Sequence, residues 1–286
     1  MSKRLVAMGL LAAMLLSAGS MAQAEEIKPY DGPEWTFEVP LSELDDKLLV
    51  LASPLSPLED ASEPKQLVSV VSRKSGENGE NVNGGIRKAA NTSMQLTRET
   101  YNALTMLFAA AEEDGVELYI RQGYRSYADQ EERYARAESQ GKTDGVAKPG
   151  ETDYQTGLAA TIVGKAWRAK TLDETFAASE EYAWLAAHAA RYGFIIRYPK
   201  GKESVTGAAF EPWHLRYVGA DTAQYMYRND LCLEEFLAAK ADAESEFISR
   251  GGDLDAAIRA ERLPEGPVIL QDQGPDGDHE ITIFHE

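Results

Sequence analysis

Glu211-Pro212-Trp213-His214-Leu215-Arg216-Tyr217-Val218 is the stretch from which the rest of this chain can be read. Trp213 to Val218 has the aromatic and aliphatic content of a strand. Pro212 stands before it, and a helix is expected after it, from Thr222 to Lys240. Its chemistry lies in the Glu-x-x-His pair, where Glu211 can serve as a general base and His214 as a metal ligand, the combination a zinc hydrolase uses. A catalytic zinc needs three protein ligands and a fourth position for water. The chain has only four histidines, His188, His214, His279 and His285. Upstream, where partner ligands would be sought, it reads Thr152-Asp153-Tyr154-Gln155-Thr156-Gly157-Leu158-Ala159-Ala160-Thr161-Ile162.

Outward from that segment, elements of both kinds alternate. Leu104, Leu107 and Phe108 share one face of a helix expected over Thr97 to Asp114, with Thr97 and Thr100 in its first turn and Gly115 after it. Leu118-Tyr119-Ile120 alternates into a strand that leads to Gly123-Tyr124-Arg125-Ser126. Tyr127 to Gln140 reads as a polar helix, and Glu180 to Tyr192 as a helix ended by Gly193. Phe194 to Tyr198 reads as a strand. Residues 25–65 are rich in Pro, Asp and Glu and read as an extended lead-in with a strand at Leu48-Leu49-Val50-Leu51. Gly76 to Asn81 is a turn-rich loop. Val268 to Leu270 and Ile281 to Phe284 flank Gly274-Pro275-Asp276-Gly277-Asp278, a hairpin signal. No βαβ period repeats, so the class is α+β.

Residues 1–24 have the layout of a signal peptide: Lys3 and Arg4, an apolar run from Leu5 to Leu16, and Ala22-Gln23-Ala24 as a cleavage site. A retained N-terminal anchor is the alternative, and an uncleaved signal is the one route to a membrane. The expected location is extracytoplasmic, secreted or in the cell envelope. Net charge is −18, and cleavage would remove two basic residues and no acid. Bulk electrostatics therefore exclude nucleic acid and anionic membrane surfaces as partners. Cys232 stands alone, so no internal disulfide forms. The expected organisation is a signal (1–24), a lead-in (25–65), a catalytic-type domain (66–240) and a C-terminal extension with the hairpin (241–286).

Four motifs stand in order: Gly123-Tyr124-Arg125-Ser126 with Gln130; Gln155-Thr156-Gly157-Leu158-Ala159; Tyr192 to Lys202; and Glu211 to Val218. Together they resemble the VanY-like D-alanyl-D-alanine carboxypeptidases, the LAS-type metallopeptidases of peptidase family M15, over residues 66–240. The resemblance implies a small, mostly antiparallel sheet with packed helices, one zinc ion, and hydrolysis of the terminal D-Ala-D-Ala bond of peptidoglycan stem peptides. It makes Glu211 the base, His214 the third zinc ligand and Arg125 the substrate-gripping arginine, with Ser126, Gln130 and Tyr217 beside it. The family's Ser-x-His-x-x-Gly-x-Ala-x-Asp segment supplies the other two ligands. Here its His position holds Tyr154 and its Asp position Thr161.

A phenol with an ordinary pKa of about 10 and a neutral hydroxyl are poor zinc donors near neutral pH. The expectation is a degenerate site with no zinc cofactor, a vestigial Glu211, and a cleft that holds a stem peptide or an envelope protein. One alternative is an active zinc carboxypeptidase that recruits Asp153, His279 or His285. Asp153 adjoins Tyr154, though in an extended segment it would point the other way. The second alternative is a scaffold acting through the C-terminal hairpin. His188 lies outside every motif and reads as structural.

Overall fold

Thr97 opens the first long helix as its sequence suggests, its side chain accepting from Thr100 N at 3.4 Å. The computed structural model describes residues 30–71, 74–75, 81–82, 86–90, 92–262, 268–274 and 277–283. The signal-peptide segment, the loop at 76–80 and His285 lie outside the described residues. In chain order the elements are β1 (Leu67–Ser69), β2 (Lys74–Ser75), β3 (Asn81–Val82), β4 (Gln95–Thr97), α1 (Arg98–Glu113), β5 (Leu118–Gln122), α2 (Tyr127–Ser139) and β6 (Ala159–Gly164). They continue with α3 (Glu180–His188), β7 (Phe194–Ile196), α4 (Glu203–Thr206), β8 (His214–Tyr217), α5 (Ala220–Arg228), α6 (Leu233–Ser249), α7 (Leu254–Glu261), β9 (Val268–Gly274) and β10 (Gly277–Ile283).

The central sheet has four strands in the order β5-β6-β8-β7, every neighbouring pair antiparallel. Side chains alternate across it, and the two faces differ. One face packs Leu118, Ile120, Ala160, Ile162, Leu215 and Phe194 against Leu104, Leu107 and Phe108 of α1 and Trp184 and Leu185 of α3. The other carries Tyr119 and Val163 under Phe176, and then the polar residues of β6 and β8. β1 pairs with β4, and β9 with β10 in register Gly274↔Gly277 to Val268↔Ile283. The class is α+β with small antiparallel sheets and a C-terminal hairpin. No helix among the described residues is long and apolar enough to cross a membrane.

Two local expectations change. The helix expected over Thr222–Lys240 is two helices, α5 and α6, because Asp230 takes φ +51° between them; Asn229-Asp230 suits a left-handed turn that a continuous helix cannot hold. No strand forms at Leu48–Leu51. Those residues run irregularly, and Leu48 O and Val50 O accept bonds of 2.8 and 2.7 Å from Arg216. Val39, Leu41, Leu44, Leu49 and Ala52 are buried, so from residue 37 the lead-in is part of the compact unit Phe37–Asp242. Among the described residues, the second unit holds those before Phe37 and after Asp242, and within it Trp35 meets Phe247 edge-on at 5.4 Å.

Gly157 ends the turn at Asp153–Thr156 with φ +69°. A Cβ there would meet Leu67 Cδ2 at 3.0 Å and Thr97 Cγ2 at 3.1 Å. Gly157→Ala is expected to cost about 1–3 kcal/mol from left-handed strain and crowding together. Urea unfolding checks it, a shift of the midpoint at constant slope being the expected sign.

Candidate functional site

On the polar face of the sheet, strand pairing builds a row. Thr161 of β6 lies directly opposite His214 of β8, and Gln122 of β5 lies opposite Thr161. Directly paired residues share a face with Cβ atoms about 5 Å apart. An irregularity between Ile120 and Gln122 shifts the register by one, which brings Gln122 rather than Arg121 into the row. Next along β6 and β8, Ala159 pairs with Arg216.

Tyr154, on the short turn before β6, leans over this row. Its hydroxyl and Thr161 Oγ1 are 2.6 Å apart. Its ring stacks on the His214 imidazole with centroids 4.5 Å apart and planes at 19°, and Tyr198 meets the same imidazole edge-on at 5.0 Å. Glu211 Oε2 holds His214 Nδ1 at 2.7 Å. His214 is buried and its Nε2 has no partner; Gln122 Nε2 is likewise buried and unpartnered. Burial and the Glu211 carboxylate push the Tyr154 phenol well above its ordinary pKa, against the smaller opposing effect of the Thr161 bond. Among the described residues no three His, Cys, Asp or Glu come together in a group that could hold a metal ion.

Arg125 reaches the same place from the end of β5. Its backbone N–H donates to Tyr154 O at 3.0 Å, and its guanidinium sits over the Tyr154 ring, 5.3 Å from the centroid. Its Nη1 donates to Gln130 Oε1 at 2.5 Å, and buried Gln130 passes a second bond to Ala147 O. Gln130 thus holds Arg125 in place. Ser126 caps α2, accepting from Asp129 N at 3.0 Å. Tyr217 stands apart from these residues: strand alternation turns it to the opposite face of β8 from His214, against Phe194 and the helix-side core. The sequence expectation that Tyr217 lines the cleft is corrected by that alternation.

Asp153 is fully committed elsewhere. It is buried, with Oδ2 2.5 Å from Arg197 Nε and Oδ1 2.6 Å from Arg216 Nη1. Arg197 also makes a two-pronged bond to Glu234 at 3.0 and 2.7 Å. Burial alone would raise the Asp153 pKa, but Arg197 and Arg216 outweigh it and hold the carboxyl below its ordinary range. Two arginines and two carboxylates balance, and they join β7, β8, α6 and residues 48–50 under the site. Sequence reading missed this network and Gln122. The available signal was a lone arginine in each of two apolar runs, Arg197 just after β7 and Arg216 within β8, and the polar pair Arg121-Gln122 closing the apolar run before Gly123. His188 Nδ1 donates to Trp184 O at 2.8 Å and its ring stacks on Trp184, a structural position. His279 lies on β10 opposite Asp272, in the other compact unit.

The family model described as D-alanyl-D-alanine carboxypeptidase, VanY, matches residues 93–220. The carboxypeptidase-named YodJ of Bacillus subtilis (strain 168) is 42% identical over 146 residues, 49% of this chain and 53% of its own length. A D-alanyl-D-alanine carboxypeptidase of Enterococcus faecalis (strain ATCC 700802 / V583) is 39% identical over 144 residues, 46% of this chain and 51% of its own. The chain thus spans about half the length of these two relatives. Among solved structures, the LdcB LD-carboxypeptidase, described for its peptidoglycan recognition, is 35% identical with TM-score 0.56, covering 74% of this chain and 93% of that one.

Proposed function

This chain belongs to the VanY-like D-alanyl-D-alanine carboxypeptidase family, and from that premise we propose that it is an exported cell-envelope protein that binds a peptidoglycan stem peptide in the family cleft without hydrolysing it. The observation that carries this reading is the 2.6 Å bond between Tyr154 and Thr161. The family's metal would need ligands at those two positions. Here two neutral hydroxyls spend themselves on each other, and the phenol is held more firmly protonated than a free tyrosine. A zinc ion prefers imidazole, carboxylate or thiolate, and one histidine is too small a donor set. The residues therefore do not fit the ion, and no step of a zinc mechanism is assigned to this chain.

What remains suits binding. Arg125 keeps a fixed cation at the cleft through Gln130 and the Tyr154 ring, positioned to pair with a peptide carboxylate. Glu211 orients His214 instead of activating water. Recruitment of Asp153 as a surrogate ligand would require breaking its bonds to both arginines.

The test is titration of the purified chain with the synthetic stem pentapeptide L-Ala-γ-D-Glu-L-Lys-D-Ala-D-Ala, followed by calorimetry and by assay of released D-Ala. Saturable binding with no D-Ala release is expected, and Arg125→Ala should weaken binding about tenfold or more, the loss of one charge-assisted contact. Zinc-dependent release of D-Ala, abolished by His214→Ala, would overturn the reading.

A further inference from the structure

We propose that Gln122 and His214 read a peptide amide of the bound ligand, Gln122 Nε2 donating to its carbonyl oxygen and His214 Nε2 accepting from its N–H. This deepens the function proposed above and rests on it.

A buried polar atom without a partner costs about 1–3 kcal/mol, so native proteins keep few. The described part of this chain has two of them on one row of the sheet, Gln122 Nε2 and His214 Nε2. Strand pairing sets them on the same face, one residue to either side of Thr161. Thr161, between them, bonds neither, its hydroxyl lying 2.6 Å from that of Tyr154.

Their chemistry is complementary. A carboxylate accepts hydrogen bonds and does not donate them, so the Glu211 contact at 2.7 Å assigns a hydrogen to His214 Nδ1, and in the neutral imidazole Nε2 is then the acceptor. Gln122 Nε2 is a donor. A donor and an acceptor separated by one strand position match an amide, whose C=O and N–H point to opposite sides of the chain. A carboxylate would satisfy Gln122 and leave His214 unpaired, and an ammonium would do the reverse. The row therefore selects the interior of an extended peptide, while the cation of Arg125 stands near the same ring of Tyr154 for the terminal carboxylate. Gln122 is a specificity residue on this account, and Glu211 a positioning residue acting through His214.

The experiment compares the full chain with Gln122→Leu and Gln122→Glu, measuring thermal stability and calorimetric binding of the same synthetic pentapeptide. Gln122→Leu removes the unpaired amide at similar volume, so its Tm is expected to equal or exceed that of the wild type while affinity falls about tenfold. Gln122→Glu replaces the donor by an acceptor and is expected to bind more weakly still. Wild type that binds while Gln122→Leu binds equally well would refute the role of Gln122 and leave the peptide-binding function standing. A fall of several degrees in the Tm of Gln122→Leu would show the amide bonded within the protein, and would also refute it. Wild type that fails to bind the pentapeptide would refute the binding function and this assignment together.

Discussion

Tyr154→His combined with Thr161→Asp is expected to give a chain that retains about one zinc per molecule through dialysis, where the wild type retains none. The strands already place the three positions together. Thr161 and His214 are direct antiparallel partners, and Tyr154 reaches Thr161 with its hydroxyl and His214 with its ring. Imidazole and carboxylate bind zinc near neutral pH without first losing a proton from a weak acid. Each single substitution supplies only two good donors and is expected to release the ion. Elemental analysis after dialysis against micromolar zinc reads the outcome directly. A double variant with no more zinc than the wild type would show that the backbone frame has drifted as well as the ligands. Wild-type chain holding one zinc that His214→Ala removes would defeat the degenerate-site reading itself.

Asp153→Asn is expected to cost about 3–5 kcal/mol, because it strips a buried charge from between two buried arginines. For a unit of this size the melting temperature should fall by roughly 6–20 °C. The sign of the pH dependence follows from the lowered pKa of Asp153. A carboxyl whose folded-state pKa is depressed contributes stability that is fully present above its ordinary value of 3.8 and is lost as pH falls below that toward the folded value. The gap between wild type and Asp153→Asn should therefore be constant from neutral pH down to about 5 and shrink below the ordinary carboxylate range. A gap that stays constant to pH 2 would mean that the carboxylate charge contributes nothing. The same network links the turn bearing Tyr154 to β7, β8 and α6, so the variant should also loosen the cleft.

Several features were legible in the chain alone. The helix opened by Thr97 followed from a capping residue and an apolar spacing that need no tertiary partner. So did the stop at Gly193, whose φ is +82°. The family, the antiparallel α+β class and the hairpin signal followed from motif order and turn chemistry. The pairing of Tyr154 and Thr161 with His214 at one site was readable too, because their positions match the family's ligand spacing.

Other features required the folded sheet. Strand alternation sent Tyr217 to the core face and His214 to the polar face, although both belong to one motif. The one-residue shift in β5 brought Gln122 opposite Thr161, and such an irregularity arises from how two strands pair. Asp153, Arg197, Arg216 and Glu234 are far apart in sequence, and their charges become one buried network only when β7, β8 and α6 converge. The chain by itself determined its local elements, its family and the chemical kind of residue at each ligand position, because these depend on spacing and side-chain identity. Which groups pair, which remain unpartnered and which way each side chain faces were decided by the tertiary structure, because burial and register belong to the whole fold.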